Sequence, residues 1–253
     1  MLQKNISIIS LSQLKDNYSY LVLKNKKVII VDPAESTEII QYIKSNQLNL
    51  IAILLTHHHL DHTSGVKKIL ENFSTPVYSS DHNITHTTNV VKNGDFIDLD
   101  FIEMEVINTP GHTLDHIVFY NETNHILFSG DALFRLGCGR IFEGTHKQMI
   151  ESLNKIKKLP QDTQIYCGHE YTYKNAEFCM KYDSKNIDLK KYFENVKSLR
   201  SKKLPTVPTL LSDEIKSNIF LRCDQNDLKA KLNMENVEDY KVFKKVRDLK
   251  DVF

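Results

Sequence analysis

Four histidines and one aspartate lie within six positions of the segment ILLTHHHLDHTSG (53–65). They follow an apolar run, IAILLT, that the pattern predicts as a buried strand. Residues two apart in extended backbone point to the same side, so two of the imidazoles can face one metal ion. One ion cannot accept every side chain of so short a loop without strain, whereas two neighbouring ions can. The clustered residues are His57, His58, His59, Asp61 and His62.

Three more residues of the same chemistry follow other predicted strands. His112 comes after MEVINT and a Pro-Gly turn, Asp131 ends HILFSGD, and His169 follows QIYCG. Ends of strands display ligand groups rigidly. Imidazole and carboxylate ligands without thiolates suit zinc, iron(II) or manganese. Each ion needs three or four protein ligands and an open position for water, and a bridging aspartate would give each of two ions four ligands. The seven candidates are His57, His59, Asp61, His62, His112, Asp131 and His169.

The motif THHHLDH resembles the T-H-x-H-x-D-H signature of the metallo-β-lactamase superfamily, and the three later ligands match its remaining positions in order. The motifs DNYSYLV, TPGHTLDHI, GCGRIFEGT, CGHEYT and NIFLR, with a helical C-terminus, resemble the glyoxalase II (hydroxyacylglutathione hydrolase) family over nearly the whole chain. This resemblance implies an α/β fold, a four-layer αββα sandwich with a small helical C-terminal domain. We expect a catalytic domain over residues 1–168 and a substrate-binding domain over 169–253.

The resemblance also implies roles for the ligands. His57, His59 and His112 would hold the first divalent ion, Asp61, His62 and His169 the second, and Asp131 would bridge both. Zinc is the expected metal, with iron or manganese as alternatives. Asp61 and Asp131 are the expected catalytic carboxylates, acting with a metal-bound hydroxide because coordination lowers the pKa of water.

The implied reaction is hydrolysis of the thioester of S-2-hydroxyacylglutathione. S-D-lactoylglutathione would give glutathione and D-lactate, the second step of methylglyoxal detoxification. Glutathione recognition is expected from Arg140, Tyr171 and Arg222. Guanidinium groups suit the two carboxylates of glutathione through charge-assisted bonds.

Several positions depart from the family pattern, although none removes a ligand. Asp115 stands where glycine is usual, Ala132 replaces a threonine, Phe142 replaces a tyrosine, and Gln225 replaces a lysine of some relatives. Phe142 and Gln225 bear on glutathione binding. Asp115 is expected to alter the charge of the metal centre or to orient His116.

Other polar residues near the motifs have two interpretations each. His58 lies between two ligands and should point away from them. His116 either supports the ligands or simply packs. Asp32, which ends the strand KVIIVD, either supports a ligand or caps the following turn. Ordinary surface or cap roles are expected for His82, His86, His125 and His146.

The elements that position these residues can be predicted from periodicity. Strands are predicted at 6–11, 18–23, 27–32, 51–56, 76–80, 96–100, 104–109, 117–121, 125–131 and 164–168. Helices are predicted at 36–47, 65–73, 145–159, 174–183, 188–203 and 237–253. Two strand-rich halves, each with helices, indicate sheets covered by helices.

Composition limits the class of protein. The chain has 253 residues, of which 41% are hydrophobic and 26% charged, and 33 basic residues balance 32 acidic ones. This balance disfavours nucleic-acid and membrane-surface partners. The N-terminus reads as a strand rather than a signal peptide, and the four cysteines form no C-x-x-C pair. We expect a cytoplasmic, monomeric enzyme with a small-molecule substrate and no nucleic-acid or membrane partner.

Three alternatives remain open. A glutathione persulfide (sulfur) dioxygenase shares the histidine loop but uses mononuclear iron and O₂, and the C-terminal helical region with NIFLR disfavours it. A lactonase, β-lactamase or nuclease of the same fold would lack the GCGR, HEYT and NIFLR motifs. A non-catalytic metal-binding protein would not need a complete ligand set with open coordination.

Overall fold

In a computed structural model, which describes residues 6–253, the chain divides into two units. The first contains the residues up to Asn108 together with Asp115–Gly130, and the second contains Thr109–Leu114 together with Asp131–Phe253. This division follows packing, whereas the domain boundary expected after residue 168 concerns function and stays a prediction.

The first unit holds the strand-rich part of the chain. Its helices are α1 (Thr37–Ser45), α2 (Leu60–Thr63) and α3 (Val66–Leu70). Its strands are β1 (Ser7–Gln13), β2 (Asn17–Lys24), β3 (Lys27–Val31), β4 (Asn49–Leu54), β5 (Val77–Ser79), β6 (Asn89–Val90), β7 (Phe96–Asp98), β8 (Glu103–Asn108), β9 (Ile117–Asn121) and β10 (Ile126–Gly130).

Strands β1 to β6 form one mixed sheet in that order. The pairs β1–β2 and β2–β3 are antiparallel, whereas β3–β4, β4–β5 and β5–β6 are parallel. Parallel neighbours need crossover connections, and α1 and the α2–α3 segment supply two of them. Strands β7, β8, β9 and β10 pair antiparallel in sequence order. Because β3 and β4 are parallel neighbours in the β1–β6 sheet, their carboxyl ends lie side by side.

Both faces of the β1–β6 sheet are buried. Alternate residues of its central strands, such as Leu21 and Ile30, join the helical residues Ile39 and Ile69 in one apolar cluster. The opposite face carries Tyr20, whose ring centroid lies 5.5 Å from that of Phe128 on β10. Helices thus cover one face of this sheet and the β7–β10 strands cover the other, which explains why β2 and β3 read as continuous apolar runs.

The second unit is mostly helical. Its strands are β11 (Leu133–Phe134), β12 (Gly137–Cys138), β13 (Gln164–Cys167) and β14 (Thr209–Leu210). Its helices are α4 (His146–Lys157), α5 (Thr172–Tyr182), α6 (Ile187–Ser201), α7 (Leu211–Ser217), α8 (Asn226–Lys231) and α9 (Asp239–Asp251), with a 3₁₀ turn at Ile219–Leu221. No helix within residues 6–253 is long and apolar enough to span a bilayer.

The predicted long elements are all present, with ends that differ by a few residues. Sequence patterns missed the two-residue strands β6, β11, β12 and β14 and the short helices α2, α7 and α8. Elements of this length carry too few residues to show a period. The β11–β12 hairpin matters for the candidate site, because it begins two residues after the predicted ligand Asp131.

The Glu214 carboxylate links several segments of the second unit. It is fully buried and accepts hydrogen bonds from the Leu136 amide (2.7 Å), the Asn218 amide group (3.0 Å) and the Thr209 hydroxyl (2.9 Å). Burial nevertheless raises the pKa of Glu214 from 4.5 to about 6. The hydrogen bonds offset only part of the desolvation cost.

This raised pKa predicts a pH dependence of stability. The folded state binds the Glu214 proton more tightly than the unfolded state, so its contribution grows as pH falls from about 6 to 4.5 and is lost as pH rises through that window. Relative to Glu214→Gln, the wild type should gain about 1.5 kcal/mol in free energy of unfolding between pH 6.5 and 4.5. Denaturant titrations measure this difference, with the exposed Glu235→Gln as control. A difference independent of pH contradicts the prediction.

Candidate functional site

The histidine loop begins two residues after β4 and sits beside the end of β3. The Asp32 amide donates to the Leu54 carbonyl (3.0 Å), which fixes the two strand ends together. Asp32 has a φ of +47°, a left-handed conformation that aspartate tolerates better than most residues. Its carboxylate is therefore turned toward the start of the loop.

Asp32 organises two of the candidate ligands. Its carboxylate accepts from the Thr56 amide (2.8 Å) and the Thr56 hydroxyl (2.7 Å), and lies 3.0 Å from Nδ1 of His62. A carboxylate only accepts, so Nδ1 of His62 carries the hydrogen and Nε2 presents a lone pair. Of the two interpretations of Asp32, support of a ligand is the one that its contacts favour.

The Thr56 hydroxyl in turn orients the His57 ring. Its only hydrogen is donated to Asp32, so its oxygen accepts from Nδ1 of His57, 3.0 Å away. Nε2 of His57 then also presents a lone pair, and it lies 3.1 Å from Nδ1 of His59. Two nitrogens each about 2.0–2.1 Å from one ion lie at about this separation. The pair is therefore suited to a shared cation.

His116 packs directly against this loop. It is buried, and its ring stacks on that of His57 with centroids 4.9 Å apart and planes at 26°. Gly130 has a φ of +47°, and a Cβ there would lie 2.5 Å from Oγ1 of Thr56 and 2.9 Å from Nε2 of His116. Only glycine fits this position, so Gly130 belongs to the support of the loop.

Asn17 fixes the aspartate of the loop. Its side-chain amide donates to the Asp61 carboxylate (2.9 Å) and to the Asp61 carbonyl (3.0 Å). Oδ2 of Asp61 also lies 3.8 Å from Nε2 of His62. Sequence reasoning assigned no role to Asn17, although it lies in the quoted motif DNYSYLV.

In the second unit, two histidines converge on one carboxylate. Oδ2 of Asp131 lies 3.4 Å from Nε2 of His112 and 3.3 Å from Nε2 of His169. All three side chains are buried. One oxygen of Asp131 thus lies near the side chains of two predicted ligands, and its bridging role stays a prediction.

The loop after Asp131 orients His112 through the backbone. Nδ1 of His112 lies 2.7 Å from the Arg140 carbonyl, so it donates, and the lone pair of His112 is on Nε2. The approach is tight, since a Cβ on Gly139 would lie 2.1 Å from the Asp131 carbonyl and 3.0 Å from Nδ1 of His112. This explains the second glycine of the GCGR motif.

The three predicted substrate-binding residues have different surroundings. Tyr171 is half exposed and stacks on His169, with ring centroids 4.6 Å apart and planes at 5°. The Arg140 side chain is 55% exposed and pairs with Asp251 at 3.3 Å.

Arg222 is the most enclosed of the three. Its side chain is only 11% exposed and pairs with the buried Asp183 and, at 2.7 Å, with Asp227. Lys231 also pairs with Asp183. Arg222 therefore has a structural task, and its role in substrate binding stays a prediction.

The Asp115 carboxylate contacts His58 rather than His116, and its effect on the charge of the metal centre stays a prediction. Both of its carboxylate oxygens lie 3.0 Å from Nδ1 of His58, and its carbonyl accepts from the Ser80 hydroxyl. His58 is exposed, as predicted. The partner of His58 is thus Asp115, the carboxylate that stands where glycine is usual in the family. Among the other histidines, His82 and His86 are exposed, and His125 and His146 are half-buried.

The donor chemistry fits divalent cations. His57, His62 and His112 each present Nε2 because a hydroxyl, carboxylate or carbonyl takes the Nδ1 hydrogen, an arrangement typical of histidine ligands of metals. No cysteine takes part; all four are buried free thiols, and burial raises the pKa of Cys167 to about 12. The donor set is therefore one of nitrogen and oxygen, as predicted.

Comparison with protein families places the fold. Residues 14–169 match the family model described as "Metallo-beta-lactamase superfamily". ETHE1 from Myxococcus xanthus superposes with a TM-score of 0.67 at 21% identity, covering 96% of each chain. TTHA1623 in a di-iron-bound form superposes with a TM-score of 0.56 at 26% identity over 64% of this chain and 91% of that one. The fold and the histidine loop are those of this superfamily, and the predicted α/β sandwich is confirmed.

The rest of the chain narrows the family further. Residues 170–253 match the family model "Hydroxyacylglutathione hydrolase C-terminus". The hydroxyacylglutathione hydrolase of Pectobacterium atrosepticum is 42% identical over 98% of this chain and all of its own length. That of Pelagibacter ubique is 41% identical over 95% and 97%. The chain therefore belongs to the hydroxyacylglutathione hydrolase family, which confirms the family expected from its motifs.

The Asp32 network predicts the effect of a conservative change on metal affinity. Asp32→Asn keeps the volume and tolerates the left-handed backbone, but it removes the charge that orients His62. Affinity for Zn²⁺ should fall about 10- to 100-fold with the fold retained. Competition with a chromophoric chelator measures the affinity, and circular dichroism checks the fold. Asp98→Asn on the exposed edge of β7 is the control. Equal affinities in both variants contradict this role of Asp32.

Proposed function

We propose that this chain hydrolyses the thioester of S-2-hydroxyacylglutathione, with S-D-lactoylglutathione as the first candidate, to glutathione and a 2-hydroxy acid, here D-lactate. The observation that carries the proposal is identity of about 40% to hydroxyacylglutathione hydrolases over nearly the full chain, including the C-terminal segment. A sulfur dioxygenase or another hydrolase of the same fold is not favoured by that full-length match.

Seven ligands are proposed to hold two divalent ions. The family resemblance implies two groups of ion-binding residues. The orientation of the histidine nitrogens described above supports this proposal. Zinc is the proposed metal, with iron or manganese as alternatives. The first ion is assigned to His57, His59 and His112, the second to Asp61, His62 and His169, and Asp131 is shared.

When bound, such ions supply Lewis-acid activation of water and polarisation of the thioester carbonyl. The protein contributes orientation. Asp61, held by Asn17, is proposed to accept a hydrogen bond from the attacking water through its carboxylate. A lone pair of that water is then directed at the carbonyl carbon. Asp131 offsets the charge of the cations and keeps His112 and His169 in place.

Recognition of the glutathione part is assigned to charged and aromatic side chains. The exposed Arg140 guanidinium can exchange Asp251 for a carboxylate of glutathione, because both offer a carboxylate oxygen to the same charged group. Tyr171 presents its hydroxyl and ring beside His169. Arg222 can contribute only while it keeps its ion pairs with Asp183 and Asp227, so its proposed share is smaller.

Several finer assignments complete the proposal. Residues 1–168 would form the catalytic domain and 169–253 the substrate-binding domain. A monomer is proposed, and its partner is a small-molecule thioester. The four free, buried thiols support a reducing compartment such as the cytoplasm.

The activity itself is tested with metal-loaded protein and S-D-lactoylglutathione. Free thiol should appear in a metal-dependent manner, measured with a thiol reagent. His59→Ala should lower kcat/KM by more than about 100-fold, since removal of a ligand exceeds the usual effect of removing its support.

His58→Ala is the matched control, because His58 is the neighbouring imidazole with no assigned ligand role, and its activity should stay near the wild-type value. Oxygen consumption with glutathione persulfide, in the absence of thiol release from the thioester, would instead identify a dioxygenase.

Substrate recognition is tested with Arg140→Met. The substitution keeps the carbonyl that orients His112 and much of the side-chain volume, so kcat should change little. KM should rise about tenfold or more, because one charge-assisted hydrogen bond is lost from both ground and transition state. Lys147→Met, an exposed lysine at the start of α4, is the control. A fall in kcat at constant KM would show that Arg140 acts otherwise.

A further inference from the structure

A cleft of about 570 Å³ lies within the second unit, among α6, the segment before β14, and α7. None of its lining residues is among the seven predicted metal ligands. Its wall combines apolar groups, such as Leu199 and Val207, with polar ones. Its ionisable residues are three cations and two carboxylates, namely Arg135, Lys191, Lys216, Asp188 and Asp213.

Arg135 is the buried cation of this cleft. It comes from the end of β11, and its side chain is only 5% exposed. Its guanidinium donates to the Thr206 carbonyl and, at 3.3 Å, to Oδ1 of Asn195, and lies over the Tyr192 ring at 4.5 Å from the centroid. Both acceptors are neutral. Nε is buried and has no hydrogen-bond partner within residues 6–253.

This environment is unusual for a guanidinium. Arginine stays protonated in proteins, so it cannot escape the cost of burial by losing its charge. Buried charges are normally paired with an opposite charge. No carboxylate among residues 6–253 forms an ion pair with Arg135. Asp213 accepts from the Tyr192 hydroxyl (2.8 Å). The buried Glu214 accepts from backbone and neutral side-chain donors, although the charge of Arg135 offsets part of the rise in the pKa of Glu214.

We propose that this cleft binds a small organic carboxylate, whose oxygens pair with the guanidinium group of Arg135. The planar guanidinium edge matches the two oxygens of a carboxylate. A monoanion is favoured over phosphate, because Asp188 and Asp213 repel a second negative charge. The ring of Tyr192, Leu199 and Val207 provide apolar contact for the body of the ligand, while Lys191 and Lys216 add positive charge at the rim.

The cleft is connected to His169, a predicted metal ligand of the same unit, through the residue that precedes Arg135. Arg135 follows Phe134, whose ring contacts those of His169 and Tyr171 with centroids 5.8 Å and 5.3 Å apart. The hairpin that carries both residues begins two positions after Asp131. A carboxylate bound at Arg135 would therefore contact the β11–β12 hairpin, whose Phe134 packs against the predicted ligand His169, without contacting His169 itself.

The side-chain Nε–H signals of the metal-loaded, full-length protein provide a direct test. The chain has arginine at 135, 140, 200, 222 and 247, so few signals overlap, and Arg135→Lys identifies the signal of Arg135. Butyrate is the probe, with chloride and inorganic phosphate as comparison anions at equal ionic strength. The Arg135 signal should shift saturably with butyrate, and Arg247, which is buried and paired with Asp251, serves as the internal reference.

Variants at the rim keep the test independent of the folding of Arg135→Lys. Lys191→Ala should weaken the apparent affinity for butyrate severalfold, whereas Lys190→Ala, exposed on the same helix but outside the cleft, should not. Arg135→Lys, if folded, should weaken it about tenfold or more. An Arg135 signal that ignores butyrate, shifts equally with chloride, or saturates only with phosphate overturns the proposal.

Discussion

The Asp32 carboxylate is the interaction on which the histidine loop depends. It is buried at the adjoining ends of two parallel strands and binds the amide and hydroxyl of Thr56 as well as Nδ1 of His62. One charged group therefore sets the exit of the loop from the sheet and, through the Thr56 hydroxyl, the tautomer of His57. A buried carboxylate is costly unless it is fully hydrogen-bonded, and these donors meet that requirement. The same contacts that stabilise Asp32 prepare two imidazoles to accept a cation.

The second unit reaches the same result by other means. There a backbone carbonyl, that of Arg140, takes the Nδ1 hydrogen of His112, and Gly139 allows the chain to come close enough. His62 and His112 both carry their lone pair on Nε2, whereas the group that accepts the Nδ1 hydrogen differs between them. Arg140 thus combines two tasks on one residue: its carbonyl orients a ligand, and its exposed side chain is available to a substrate. This separation of backbone and side-chain roles makes Arg140→Met informative.

Much of the site could be predicted from the sequence, because its ligands follow strand ends at fixed spacings and histidine is chemically distinctive. The supporting residues were harder to predict. Asn17, Thr56 and Gly130 are ordinary residue types, and their roles arise from neighbours distant in the chain. The role of Asp115 could not be read from its proximity to His116, since the fold turns its carboxylate toward His58. The short strands β11 and β12 carry no periodic signal, although they position Phe134 and Arg135.

The sequence by itself determined the family and the succession of strands and helices, and it predicted seven nitrogen and oxygen ligands, since these depend on local pattern and residue chemistry. Only the tertiary structure decided which nitrogen of each oriented histidine presents its lone pair, because that depends on a hydrogen-bond partner brought from elsewhere. It also decided how each arginine is used. Arg140 is exposed, Arg222 is enclosed by carboxylates, and Arg135 is buried beside a cleft and forms no ion pair within residues 6–253. Burial and pairing are properties of packing, and identical side chains acquire different chemistry from them.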